Sequence, residues 1–404
     1  MIVATGTPLR LLSSEIRIRF APSCLLHWIV LLSNIRELHY PIDRETGGGM
    51  RYTVLTEQGA GVLDAEPEPA GPDGAGERRL LAPLEAPVLG WERRSYGWCR
   101  GDSCIPASAV SGIEHAGRID VGAFAELHGS LAVADHDHGL LAAVPAPDTG
   151  PRGGAAPDFA LRGADGTLHR LSGLRGRKVA LVMWASWCGC RYDLPAWEER
   201  HRELSPHGLT VVSVAMDRSA EDALPWIAEA APSHPALIDT EGQVAALYDV
   251  VNVPTAVWID ERGDIARPQD TQVATDLFQS MNGLSSEASL RALRRWVHEG
   301  DAGLGGGDRA PGFRTPTAEG QRARAHARIA VELHRRGETG AADRHYSRAA
   351  DLAPHDVTVR RGLMGLRGED PFGDAYFALR EELGAAGIPV YRPIRPEPAA
   401  EAEV

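Results

Sequence analysis

The sequence predicts a mixed α/β protein: a central domain of buried strands alternating with helices, a small α+β unit ahead of it and an α-helical unit behind it. Three observations carry this expectation. Between residues 154 and 299, short apolar runs alternate with segments of helical period. Two Pro/Gly/Ala-rich stretches, Val144 to Ala156 and Gly300 to Pro316, set that region apart as linkers. Residues 317–394 place apolar side chains at helical spacing.

In the central domain, Val179 to Trp184 is a continuous apolar run and reads as a buried parallel strand. Leu194 to Leu204 follows as a helix with Trp197 and Leu204 on one face, and Leu209 to Ala215 is the second buried strand. Ala220 to Ala230 is helical, Ala236 to Ile238 a short strand, and Thr255 to Ile259 the next strand, closed by the turn Asp260-Glu261-Arg262-Gly263. Ser289 to Val297 is a closing helix. Such alternation, ending in a strand hairpin, implies a mixed sheet with helices on both faces.

The chain has 404 residues, room for about two to four domains. Its 43% hydrophobic content supplies several cores. A net charge of -13 argues against a nucleic-acid partner, which needs a basic footprint, and against anionic membranes. Five cysteines are too few for a disulfide scaffold, so a cytoplasmic protein is expected, with any disulfide transient and catalytic.

At the N-terminus, the apolar run Cys24 to Leu32 is interrupted by His27 and is too short to span a bilayer. Arg10, Arg17 and Arg19 precede it in the manner of a signal peptide, but Asn34, Ile35 and Arg36 follow where a small-residue cleavage site belongs. Residues 1–49 therefore read as a non-native or disordered extension with Met50 as the true start. The GGN codons of Gly47 to Gly49 suit a ribosome-binding site. Ala65 to Gly76 reads as a loop, and residues 395–404, rich in Ala and Glu, as a disordered tail.

The chemistry concentrates in Trp184-Ala185-Ser186-Trp187-Cys188-Gly189-Cys190-Arg191, between a buried strand and a helix. A cysteine at a helix N-terminus meets unpaired N–H groups and the positive end of the macrodipole. Both favour thiolate. A second cysteine close by can resolve a mixed disulfide. Cys188 and Cys190 are thus the candidate catalytic pair.

Here the sequence resembles the TlpA/ResA branch of thioredoxin-like proteins, the redoxins related to the AhpC/TSA group. The resemblance runs from about Gly154 to Val297. Pro157-Asp158-Phe159 and Asp165-Gly166 match that family's opening hairpin. Gly173 to Lys178 matches its lead into the first buried strand, and Trp184 to Cys188 its W-A-x-W-C element. Val253-Pro254-Thr255 matches the loop whose proline is cis in this fold. The resemblance implies a thioredoxin-like domain over 154–299, with Trp187, Gly189, Val253, Pro254 and Thr255 forming a substrate-docking surface. It implies thiol–disulfide exchange with disulfide or dithiol proteins or small thiols, and no cofactor.

Two departures from the family matter. Its active site is C-x-x-C, whereas Cys188-Gly189-Cys190 lacks the residue where proline usually stands. Closing so small a ring needs a bend, which Gly189 permits, and predicts an easily reduced disulfide and a couple more oxidising than thioredoxin. The buried Asp that thioredoxins carry six residues before the first cysteine is Val182 here. Proton transfer to Cys190 then falls to another group, with Asp193 or water as candidates.

Two other function classes compete. A thiol peroxidase (a peroxiredoxin-like antioxidant) would use Cys188, but the P-x-x-x-T-x-x-C pattern is absent and Ser186 is a weak substitute for its threonine. A non-catalytic interaction scaffold is the other. A zinc site at C-x-C lacks completing ligands, since His201 and His207 lie on or beyond the next helix.

In the N-terminal unit, residues 50–143, Cys99 and Cys104 stand five apart around a Gly-Asp turn. An auxiliary redox pair, half a metal site completed by His136 and His138, and two plain buried thiols all remain open. Asp135 to Gly139 reads as a polar turn, and no metal is expected. In residues 317–394, Gly337, Ala342, Tyr346, Ala349 and Pro354 fall at the steps of one tetratricopeptide-like repeat. Ala327, Ala330 and Leu333 form the stripe of its first helix, and a helix around Phe372 to Leu383 is expected to cover it. This unit reads as a cap on the redox domain, a dimer contact or a groove for a protein partner.

Overall fold

The computed structural model describes residues 49–57, 59–68, 78–147, 154–304 and 312–394. The expectations for the extension up to residue 48 and for the tail 395–404 lie outside these residues, as does the middle of the second linker.

The N-terminal unit is built on a seven-stranded sheet. Its strands are β1 (Met50–Thr56), β2 (Gly59–Pro67), β3 (Leu80–Pro83), β7 (Glu114–His115), β8 (Arg118–Asp120), β9 (Ser130–Asp135) and β10 (Leu140–Pro145), in the order β7-β8-β3-β2-β1-β10-β9. Only β1 and β10 pair in parallel. Of the loop expected over Ala65 to Gly76, Ala65 to Pro67 belong instead to β2, and residues 69–76 lie outside the described residues. A separate meander of β4 (Glu92–Arg94), β5 (Gly97–Arg100) and β6 (Ser103–Pro106) precedes the helices α1 (Ala107–Val110) and α2 (Val121–Leu127). Cys99 and Cys104 are directly opposed on β5 and β6 and form a disulfide, Cα to Cα 4.1 Å. That removes the half metal site and the plain thiols. Asp135 to Gly139 is a turn, in which Asp135 accepts from the backbone of Asp137 and His138 and from the His138 ring.

The central domain opens with the hairpin of β11 (Ala160–Arg162) and β12 (Leu168–Arg170). Its five-stranded sheet contains β13 (Lys178–Trp184), β14 (Leu209–Ala215), β15 (Ala236–Ile238), β16 (Thr255–Ile259) and β17 (Ile265–Asp270), in the order β15-β14-β13-β16-β17. Strands β13, β14 and β15 run parallel, while β16 and β17 are antiparallel. This is the mixed sheet flanked by helices expected from the strand and helix pattern. Its helices are α3 (Leu194–Leu204), α4 (Ala220–Ala230), α5 (Gln243–Leu247), α6 (Gln279–Asn282) and α7 (Ser286–Glu299). From Val179 onward strand β13 is apolar and buried because both faces are covered. Val179, Leu181 and Met183 join the core that holds Cys188 and Cys190, while Ala180 and Val182 join Trp197, Leu204 and Trp258. Trp258 stacks on Trp296 of α7 at 5.1 Å.

The C-terminal unit contains α8 (Ala318–Arg335), α9 (Thr339–Leu352), α10 (Val357–Arg360) and α11 (Asp374–Ala385). Helices α8 and α9 form a hairpin turning at Gly337, whose φ of 78° suits glycine. The single stripe expected on α8 is divided. Ala325, Ile329 and Leu333 pack on Leu55, Leu140, Ala142 and Val144 of the N-terminal sheet, whereas Ala323, Ala327 and Val331 face Ala349, Val359 and Leu363. Buried polar groups on α8 reach both the N-terminal sheet and the redox domain. Gln321 donates to the carbonyls of Pro145 and Ala246 (2.7 and 3.1 Å), and Arg328 pairs with Glu241 at 2.8 Å and donates to Thr56 O. The N-terminal sheet, redox domain and C-terminal helices thus form one compact unit around α8.

One contact fixes the redox loop from below. Asp217, just past β14 and 1% exposed, accepts from Ser186 N with both oxygens (3.1 Å) and from Ser186 Oγ (2.6 Å). Burial raises its pKa to about 6 despite these hydrogen bonds.

Two outcomes are expected. Ile329→Ala empties volume between α8 and the sheet and costs about 2–5 kcal/mol, read from urea unfolding. A loss no larger than a surface change, about 0.5 kcal/mol, would mean that α8 does not brace the sheet. Because the folded pKa of Asp217 is raised, its stabilising contribution is complete below the ordinary carboxylate value and is lost as pH rises through about 6. Asp217→Asn keeps an acceptor for Ser186 and removes this component. Its unfolding midpoint therefore falls less than that of the parent protein between pH 4.5 and 7.

Candidate redox site

Strand β13 delivers the chain to Trp184 on the buried side of the sheet, and the Asp217 contact holds the following turn. Cys188 is extended (φ -120°, ψ 142°) and caps a 3₁₀ turn, Gly189–Asp193, that runs into α3. The helix-terminal cysteine expected from the sequence is therefore present, with the first turn wound as 3₁₀. Cys188 Sγ accepts from the backbone N–H of Cys190 at 3.3 Å and lies 3.5 Å from Val253 O. Both cysteines are free thiols and nearly out of water, 4% and 7% exposed.

The two thiols are polarised in opposite senses. Burial works against a Cys188 thiolate, but the hydrogen bonds from the Cys190 thiol and N–H, with the positive charge of Arg361, outweigh it and lower the Cys188 pKa. Burial, together with the neighbouring Cys188, pushes the Cys190 thiol well up. The arrangement suits one attacking thiolate and one thiol held in reserve.

Gly189 is required for a reason other than a bend. Its φ is not in the left-handed region; instead, a Cβ there would lie 2.8 Å from the ring of Phe278. The expected docking residues do surround Cys188. The Val253–Pro254 bond is cis, and Thr255 Oγ1 donates to Asn252 O at 2.7 Å. Yet Trp187, Val253, Pro254 and Thr255 are all buried, and Gly189 is half-buried. The cover comes from the C-terminal unit. The Arg361 guanidinium lies over the Trp187 ring at 5.6 Å, and Gly362 is close enough that a Cβ would touch that indole at 3.5 Å.

Asp193, one candidate proton acceptor for Cys190, is 5% exposed. Its oxygens take hydrogen bonds from Ala274 N (3.1 Å) and Thr275 Oγ1 (2.5 Å), and burial raises its pKa. Its lone pairs are largely committed to these donors. Cys99 and Cys104 stand apart on the N-terminal meander, Cys104 exposed. Arg361, Phe278 and Asp217 were missed in the sequence because they reach the site only through tertiary packing. Ser213, His234 and Glu198 form a hydrogen-bonded chain (3.1 and 2.9 Å) in triad order, but Ser213 is 1% exposed inside β14. That chain ties α3 to the sheet.

Comparison with known proteins bears on the central domain. The AhpC/TSA family model matches residues 153–267. The thioredoxin-like protein YneN of Bacillus subtilis (strain 168) is 38% identical over 128 residues, which are 30% of this chain and 72% of YneN. The thiol-disulfide oxidoreductase ResA of Geobacillus kaustophilus (strain HTA426) is 31% identical over 114 residues, 28% of this chain and 66% of ResA. This chain thus spans about two thirds of the length of these relatives. Among solved structures, a putative thiol:disulfide interchange protein DsbE from Chlorobium tepidum shares 36% identity, covering 29% of this chain and 83% of that one, with a TM-score of 0.27. With 72% of YneN matched at 38% identity, the chain belongs to the AhpC/TSA family and stands among its thioredoxin-like thiol–disulfide oxidoreductases.

Proposed function

We propose that the chain carries out dithiol–disulfide exchange with Cys188 as the attacking sulfur and Cys190 as the resolving one. The observation that carries this is the opposed polarisation of the pair, with Cys188 Sγ held by the Cys190 N–H at 3.3 Å. The Cys188 thiolate attacks a substrate disulfide, forming a mixed disulfide and expelling one substrate sulfur, which takes up a proton. Cys190 then loses its proton and attacks Cys188, closing the Cys188–Cys190 disulfide and releasing the second substrate thiol. Two electrons pass to the substrate, and the reverse sequence oxidises a dithiol. Substrates are disulfide or dithiol proteins or small thiols. Trp187, Gly189 and the Val253–Thr255 loop shape the approach.

The peroxidase reading is weakened by Ser186, whose hydroxyl donates to Asp217 at 2.6 Å and is not free to serve as the missing threonine. The scaffold reading is weakened because α8 already buries two faces inside this chain. We read α8 and α9 as one tetratricopeptide-like hairpin used as an internal strut. Cys99–Cys104 is read as an auxiliary disulfide, reachable at the exposed Cys104. The cytoplasmic location is kept as an expectation, although a standing disulfide favours an oxidising compartment. Among the described residues no helix is long and apolar enough to cross a membrane.

The experiment is mass spectrometry of alkylated thiols in glutathione buffers. A reversible two-electron transition of Cys188 and Cys190 is expected above thioredoxin's potential of roughly -270 mV. With oxidised glutathione, Cys190→Ser accumulates a mixed disulfide at Cys188, and Cys188→Ser accumulates none at Cys190. A Cys188–Cys190 pair that never oxidises at any poise would sink the mechanism.

A further inference from the structure

We infer that Arg361, supplied by the C-terminal helical unit, is the counter-charge of the Cys188 thiolate and hence a positioning residue of the redox reaction. The inference rests on the reading of Cys188 as the attacking sulfur.

Arg361 opens a 3₁₀ turn, Arg361–Leu363, directly after α10, and is 4% exposed. Its Nε donates to Pro371 O at 2.8 Å. The guanidinium carbon lies 3.5 Å from the Tyr376 ring centroid, 5.1 Å from that of Phe372 and 5.6 Å from that of Trp187. Among the described residues, no carboxylate stands within 4.0 Å of it. Three other buried arginines do have one, Arg267 with Asp270 at 2.7 Å, Arg324 with Asp356 at 3.1 Å and Arg328 with Glu241 at 2.8 Å, whereas Arg218, at 9% exposure, shares with Arg361 the lack of a carboxylate partner among the described residues. A cation removed from water needs an anion or a good substitute. Three aromatic faces are a partial substitute. Trp187, the ring shared by Arg361 and the redox loop, immediately precedes Cys188.

The charged and titratable groups around Cys188 leave few candidates for its counter-ion. Cys190 is held as the thiol. Asp193 is an acid and opposes a thiolate. Tyr391, on the C-terminal segment, is pushed up by desolvation and stays neutral. Asp217 is engaged by Ser186. Arg191 points its guanidinium at Ser186 O and over the Trp226 ring at 4.1 Å. Arg361, whose guanidinium lies over the ring of Trp187, the residue next to Cys188, at 5.6 Å, is the cation whose charge favours the Cys188 thiolate. In a dry site this attraction is far stronger than in water.

The test is the pH titration of thiolate absorbance in the reduced full chain, taken as the difference from Cys188→Ser. It reads ionisation, so its result stands whether or not the chain exchanges disulfides. Arg361→Met keeps the apolar stem against the rings and removes the charge; Arg361→Lys keeps the charge. The Met variant is expected to raise the Cys188 midpoint by about one pH unit or more, a roughly tenfold loss of thiolate below the midpoint, with Lys restoring most of it. An unchanged midpoint in the Met variant, or equal shifts in Met and Lys, overturns the proposal. Should the Met variant fail to fold, Arg361→Gln, which also removes the charge, takes its place in the same titration, and the parent protein compared with Cys188→Ser tests the premise of a lowered thiol. A thiol whose folded pKa is lowered contributes stability that appears as pH rises through that pKa. The parent must then gain unfolding midpoint over Cys188→Ser across the same pH range, and no gain overturns the proposal equally.

Discussion

The reactive sulfur of this protein is almost wholly out of water, and burial by itself would hold it as an inert thiol. Cys188 is 4% exposed, so its thiolate exists only to the extent that fixed groups replace the solvent. Two of those groups are local: the Cys190 N–H and thiol, brought round by the 3₁₀ turn. The third, Arg361, comes from a unit more than a hundred residues away in sequence. Its arrival also covers the docking residues, so exclusion of water and supply of charge come from the same piece of chain.

The placement of that arginine explains much of the remaining architecture. Helix α10 leads into Arg361 and is pinned to the cis-proline loop: Val357 N donates to Val251 O at 2.7 Å and Thr358 Oγ1 to Val250 O at 3.0 Å. Asp356 caps α10 through Val359 N and Thr358 Oγ1, and its other oxygen pairs with Arg324 of α8 at 3.1 Å. Arg324 also reaches Asp249 in the redox domain at 3.1 Å. Further along α8, Arg328 and Ile329 engage the N-terminal sheet. Such buried ion pairs add little net stability but are costly to break. Their effect here is positional: the sheet holds α8, α8 holds Asp356, and Asp356 sets the turn that carries Arg361.

What was legible in the sequence follows from which forces are local. Strands β13, β14 and β16 were readable because a two-sided burial demands continuous apolar runs. The redox loop was readable because strand, W-A-x-W-C and proline loop lie at fixed steps, and the Val253–Pro254 bond is cis. Gly189 was singled out for its backbone freedom, whereas the constraint is the Phe278 ring against it. A single apolar stripe on α8 was expected because periodicity reports that a face is buried without reporting against what. The alanines of α8 serve two neighbours, and only the fold divides them. The Cys99–Cys104 spacing left three chemistries open, since five residues can span a hairpin or a loop; the direct register of β5 with β6 decides it. Arg361 carried no signal, because one arginine in a helical segment is indistinguishable from a solvated one.

The shortened C-G-C centre and the buried counter-charge act on the same quantity from opposite ends. A disulfide closed over one intervening residue is harder to form, which raises the energy of the oxidised state. A hydrogen-bonded, charge-compensated Cys188 thiolate lowers the energy of the reduced state. In the proposed exchange both act to make the couple more oxidising. A lower thiol pKa also improves a sulfur as a leaving group while tempering its nucleophilicity. In the proposed exchange the poise of the pair therefore depends on the C-terminal unit and the missing residue as well as on the thioredoxin-like sheet that both are mounted on.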